Sequence, residues 1–131
     1  MLLTEIPDLD AVLSAHASEL GADFTAYRNH AYRVVNLCVA LRPAEGEAPR
    51  KLAIAAAFHD LGIWTARTFD YLAPSVDLSC AHLVKLDKRE WEPEVSRMIL
   101  EHHRISRYRE KPDSLVEPFR QADWIDISRG L

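Results

Sequence analysis

Apolar residues recur along this chain at spacings of three and four, and no stretch alternates apolar with polar residues over a strand's length with β-branched enrichment. The spacing predicts an all-α fold. A first helix opens with Asp8 as N-cap after Pro7, sets Leu9, Val12, Leu13 and Leu20 on one face with His16 among them, and stops at Gly21. A second helix, from near Asp23 to about Leu41, aligns Tyr27, His30, Val34, Leu37, Cys38 and Leu41 before Arg42-Pro43 breaks it. A third, from about Pro49 to Asp60, carries the run Leu52-Ala53-Ile54-Ala55-Ala56-Ala57-Phe58, whose small side chains suit a central position. It closes on His59-Asp60-Leu61-Gly62.

Residues 63–74 read as a loop, after which Ser75 caps a fourth helix through about Leu86. The charged residues 87–90 read as a solvated turn. A fifth helix begins around Pro93 and puts Val95, Met98, Ile99 and His102 on one face. The last is capped by Ser114, in the box Ser114-Leu115-Val116-Glu117, or starts nearer Pro118, and stacks Val116, Phe119, Asp123 and Ile127 on one side. The expectation is a single-domain bundle of five to six helices spanning 1–131. The helical pattern still runs at the last residue, which leaves open that the chain continues in a longer protein.

Composition narrows the function. With 131 residues, 48% of them hydrophobic, the chain can bury a core that needs no disulfide or metal to hold it. A metal, if bound, is then there for chemistry. A formal charge of -4 and a pI near 5.8 give no reason to expect nucleic acid or an anionic membrane as partner. The two cysteines, Cys38 and Cys80, are too few for a disulfide framework and point to a reducing compartment. The first residues form no targeting signal and no apolar run approaches the roughly 18 residues of a membrane span, so a cytoplasmic location is expected.

A lone histidine on an apolar face is more often a hydrogen-bonded core residue than a ligand. His16 is read that way. His30, His59, His82, His102 and His103 fall in four different helices, four of them near inward faces, which is more than a core usually holds. Helical bundles build metal sites by projecting imidazoles and carboxylates inward from facing helices, and Asp60 and Asp123 supply the carboxylates. Adjacent residues such as His59-Asp60 converge on one ion only where a helix ends, and Gly62 allows the turn.

The series His30, His59-Asp60, Asp123, with Arg33 three residues after the first histidine, resembles the HD-domain superfamily of metal-dependent phosphohydrolases, over about Tyr27 to Asp126. The resemblance implies that His30, His59, Asp60 and Asp123 hold one metal. It further implies that His82 and His102 match the positions that bind a second ion in the two-metal branch, with Asp60 bridging. His103 is then a hydrogen-bonding or substrate-contacting neighbour. The cofactor implied is a divalent metal, two ions of iron, manganese, magnesium, cobalt or nickel.

The chain departs from several branches of that superfamily. No acidic residue follows the His-Asp pair, where Leu61-Gly62-Ile63-Trp64-Thr65 stands, and His102-His103 leads into Arg104-Ile105-Ser106 without the Gly-Tyr-Pro segment of the cyclic-di-GMP branch. A third branch uses the same ligand set for a mixed-valence di-iron oxygenase centre. Its inositol-binding lysine is replaced here by Ile63.

Arg33, Lys85 and Arg104 lie close in sequence to these ligands, with Arg107, Arg109, Lys88 and Lys111 near by, and an arginine fork suits capture of phosphate. The expected function is a phosphohydrolase acting on a small anionic substrate through a metal-activated water, with Asp60, Arg33, Lys85, His103 and Arg104 in the catalytic work. An HD-type oxygenase of small phosphonates or polyols is the alternative. A homodimer is left open.

Overall fold

The computed structural model describes residues 2–128 and is helical throughout, with no strand among the described residues, as the sequence pattern predicts. The expected continuation of the last helix beyond Ser128 lies outside them. In chain order the helices are α1 (Pro7–Ala15), α2 (Ala17–Leu20), α3 (Phe24–Leu41), α4 (Ala48–Phe58), α5 (Gly62–Thr65), α6 (Leu72–Lys85), α7 (Glu92–Glu101) and α8 (Val116–Ser128). Two short 3-10 turns lie at Gly21–Asp23 and Arg89–Trp91.

Helix α4 organises the rest. From Leu52 to Phe58 every side chain is buried, so this part of the helix has no solvent face and must sit in the middle. It packs against α1, α3, α6 and α7, and its four alanines in that run let those neighbours come close. Helix α8 lies against α3 and α7. The C-terminal end of α4 therefore emerges among the middle of α3, the end of α7 and the inner face of α8.

Several predicted helix ends take a different form. Asp8 does not cap α1: the helix begins at Pro7, whose missing N–H suits the first position, and the Asp8 carboxylate receives the Arg50 fork at 3.0 and 3.1 Å instead. The first helix also breaks at His16, whose N–H turns back to the Leu13 carbonyl. Glu117 does not close a capping box on Ser114. It accepts from the Tyr108 N–H, from both arms of Arg120 and from Gln121, at 2.7 to 2.8 Å. Ile127 is 57% exposed, so the inward stripe of α8 is Val116, Phe119, Ala122 and Asp123.

The segment expected to be a loop carries most of α5 and the first three residues of α6, and Ser75 lies inside α6 rather than capping it. Its hydroxyl accepts the Gly62 N–H at 2.9 Å. The backbone turn at Gly62 needs no positive φ. Its missing side chain is what matters, because a Cβ there would lie 2.5 Å from the Tyr71 carbonyl oxygen and 2.8 Å from the Ser75 hydroxyl. The close approach of α5 to α6 at Gly62 brings Tyr71 back over the end of α4.

Candidate metal centre

Two helix ends and two helix interiors converge. His59 is the C-cap of α4 and Asp60 follows it, His102 is the C-cap of α7, His30 projects from the middle of α3 and Asp123 from α8. His59, His102 and Asp123 are buried, while His30 and Asp60 keep side-chain exposures of 16% and 17%. The cluster thus has a closed floor and a narrow opening.

On the floor, Nε2 of His30 stands 3.1 Å from Nε2 of His59 and 3.1 Å from Oδ1 of Asp123. Nε2 of His59 lies 3.3 Å from both Oδ1 of Asp123 and Oδ2 of Asp60. Hydrogen bonding at the far side of each ring assigns the protons. Nδ1 of His59 donates to the Ala56 carbonyl at 2.6 Å, Nδ1 of His102 to the Ile99 carbonyl at 2.5 Å, and Nδ1 of His30 to Asp126 at 2.6 Å. Carbonyls and carboxylates accept, so each neutral ring carries its proton on Nδ1 and turns a bare Nε2 lone pair inward.

Asp123 then has no donor. Both of its carboxylate oxygens are buried and neither receives a hydrogen bond. A buried carboxylate left in this state costs several kcal/mol unless a positive charge meets it. Two carboxylates and inward-facing imidazole lone pairs are the donor set of a divalent transition metal, and the residues fit one. His30, His59 and Asp60 offer ligand atoms within 4.8 Å of one another, and Asp123 closes the same group.

The electrostatics point the same way. Burial pushes the carboxyl of Asp60 up, but the neighbouring His59 and His102 outweigh it and hold it well below the usual range. Asp123 is likewise pushed up by burial and held down by His30 and His59. His59 is pressed towards neutrality by burial, yet the two carboxylates raise it well above an ordinary histidine. The space between these groups favours positive charge.

A second group faces the opening. Oδ1 of Asp60 lies 3.1 Å from Nε2 of His102 and receives the Tyr71 hydroxyl at 2.9 Å, and the same hydroxyl is 2.7 Å from Nε2 of His103. Asp60, His102 and His103 also bring ligand atoms within 4.8 Å of one another. Asp60 is thus shared, with Oδ2 towards the floor and Oδ1 towards the opening.

The expected ligand His82 is not in this assembly. Helix α6 turns Ser75, Ser79 and Leu83 inward, so His82 faces α1, with its ring 5.4 Å from that of Phe58. There it lines a recess of about 220 Å³ with His16, Phe58 and Lys85. His103 stands where His82 was expected. Lys85, one turn after His82, shares that recess and cannot serve the centre. Arg104 turns away too: its Nε donates to the Ser106 hydroxyl and its guanidinium lies over the Tyr108 ring and near Glu101. Arg33 is at the rim, and its fork holds Asp126 at 2.6 and 3.2 Å.

Three side chains beyond the expected ligands support the centre. Asp126, one turn beyond Asp123 on α8, orients His30 from behind, and Arg33 orients Asp126; the i, i+3 spacing of two acids was the available signal. Tyr27 stacks on His59 with ring centroids 5.9 Å apart, and its hydroxyl donates to the Ala57 carbonyl and receives the Asp60 N–H. Tyr71 falls in the segment expected to be a loop. No local pattern marks it, since its position depends on the fold-back at Gly62.

The HD domain family model matches residues 27–128, and this chain belongs to that family of metal-dependent hydrolases. No curated protein and no solved structure matches it.

Proposed function

We propose that this protein is a metal-dependent phosphohydrolase that cleaves a phosphoester in a small anionic substrate in the cytoplasm. One observation carries the metal requirement: the Asp123 carboxylate, buried without a donor, faces bare imidazole nitrogens of His30 and His59. His30, His59, Asp60 and Asp123 would hold the inner ion, and Asp60, His102 and His103 a second one. When bound, divalent ions supply Lewis acidity, lowering the pKa of a water and neutralising phosphoryl oxygens.

The protein's own residues do the positioning. Asp126 and the Ala56 and Ile99 carbonyls hold three imidazoles with Nε2 inward. Phe119 packs edge-on against both His59 and His102 and excludes water from the floor. His103 stands at the rim, and burial of its ring together with the neighbouring His102 lowers its pKa, which favours the neutral ring that a ligand of the second ion has to be. Arg33, 58% exposed, is brought to the rim of the centre by its hold on Asp126.

The test is hydrolysis of bis-p-nitrophenyl phosphate with added Mn²⁺. Turnover that depends on the metal and disappears in Asp60→Ala supports the reading. Full turnover by Asp60→Ala, or a protein that binds two irons and consumes dioxygen without hydrolysing esters, sinks it.

A further inference from the structure

At the opening of the centre, one side chain touches both members of a candidate ligand pair without being one of them. Tyr71 is 8% exposed, and its place is fixed from behind. Its carbonyl lies against Gly62 at a distance that admits no side chain, and it caps the start of α6 by accepting the Ser75 N–H at 2.9 Å. The ring therefore has little freedom, and its hydroxyl arrives between Oδ1 of Asp60 and Nε2 of His103, at 2.9 and 2.7 Å.

Proton counting gives this contact a direction. A phenol has one proton, and an ionised carboxylate can only accept, so the Tyr71 hydroxyl donates to Asp60. Its oxygen must then receive from His103, which places the His103 proton on Nε2 and leaves Nδ1 bare. The other three imidazoles of the centre carry theirs on Nδ1. His103 is thus set in the opposite tautomer, and nothing else among the described hydrogen bonds holds its ring.

We propose that Tyr71 is a positioning residue for an outer divalent-cation site formed by Asp60, His102 and His103, fixing the tautomer and orientation of His103 while steadying the shared carboxylate. The proposal rests on the metal-dependent reading above and adds which residue governs the second ion. Partners of this kind, one bond removed from a ligand, typically change metal affinity by about 10- to 100-fold when lost.

The test is titration of metal-stripped protein with Mn²⁺, followed by calorimetry, on wild type, Tyr71→Phe and His103→Gln, with ¹⁵N imidazole shifts recorded on wild type and Tyr71→Phe. The expected result is two ions in wild type. In Tyr71→Phe the second binds about 10- to 100-fold more weakly with the first unchanged, and the His103 signal moves from a pure Nε2–H form to a mixture. His103→Gln should keep the first ion and lose the second. A second ion bound equally well or better by Tyr71→Phe, or an unchanged His103 tautomer, overturns the proposal, as does a wild type that takes a single ion, which leaves the metal-dependent reading standing. A wild type that binds none overturns both.

Discussion

Replacing Asp123 by asparagine removes one candidate oxygen ligand and one negative charge while keeping the volume, and the geometry predicts a small effect without metal and a large one with it. In the metal-free protein, Asp123 is buried with no hydrogen-bond donor, and its charge is met only by whatever positive charge His30 and His59 acquire. Deleting that charge relieves a desolvation penalty on the order of 1 to 3 kcal/mol but also forfeits the attraction to His30 and His59 that holds the Asp123 carboxyl low, so the two effects partly cancel. Asp123→Asn should therefore stay within about 2 kcal/mol of wild type when stripped. With Mn²⁺ at about 100 times the dissociation constant, wild type gains about 2.7 kcal/mol by mass action. For a chain of 131 residues that is a rise in Tm of about 10 °C. The variant should show little of it. Thermal unfolding by circular dichroism, with chelator and with metal, reads both effects. A metal shift that survives in Asp123→Asn, or a stripped variant more than about 2 kcal/mol less stable than stripped wild type, would show that Asp123 is held by something other than a cation.

Further outcomes follow from single contacts. Asp126→Asn should weaken the first ion by about 10- to 100-fold in a metal titration, because His30 loses the carboxylate that fixes its tautomer, whereas Arg33→Ala should change it by only a few-fold. Gly62→Ala should cost about 2 to 3 kcal/mol in urea unfolding, since its methyl group would press on the Tyr71 carbonyl; a neutral effect would mean that α5 and α6 are free to part. The Glu117 carboxyl is drawn down to about 2, chiefly by the Arg120 side chain. Its contribution to stability is complete above about pH 4.5 and is lost as pH falls towards 2, so Glu117→Gln should flatten acid unfolding in that window and lower stability at pH 7 by about 1 to 2 kcal/mol.

The helices and the inner cluster of imidazoles and carboxylates are legible in the sequence because both depend on a period that side chains display directly. His30, His59 and Asp123 each sit on a face already marked as inward by Val34, the alanines of α4 and Phe119. Helix α6 defeats the same reasoning. Its inward face is Ser75, Ser79 and Leu83, two of them small and polar with Ser75 set against Gly62, so hydrophobicity alone does not fix its rotation and His82 is assigned to the wrong side. Lys85 follows His82 on that face. Tyr71 and the outward turn of Arg104 depend on tertiary chain reversal, which leaves no periodic trace. Local capping rules fail for Asp8 and Glu117 for a related reason, since distant Arg50, the loop N–H of Tyr108 and the next-turn Arg120 compete for the same carboxylates.

The central claim is that these imidazoles and carboxylates exist to hold metal, and elemental analysis of protein purified anaerobically without added metal tests it most directly. The account predicts at least one tightly held transition-metal ion per chain, retained through dialysis and lost in Asp60→Ala, while His82→Ala keeps the wild-type count. A protein that stays metal-free after reconstitution with Mn²⁺ and Fe²⁺, or one whose metal depends on His82, would contradict it.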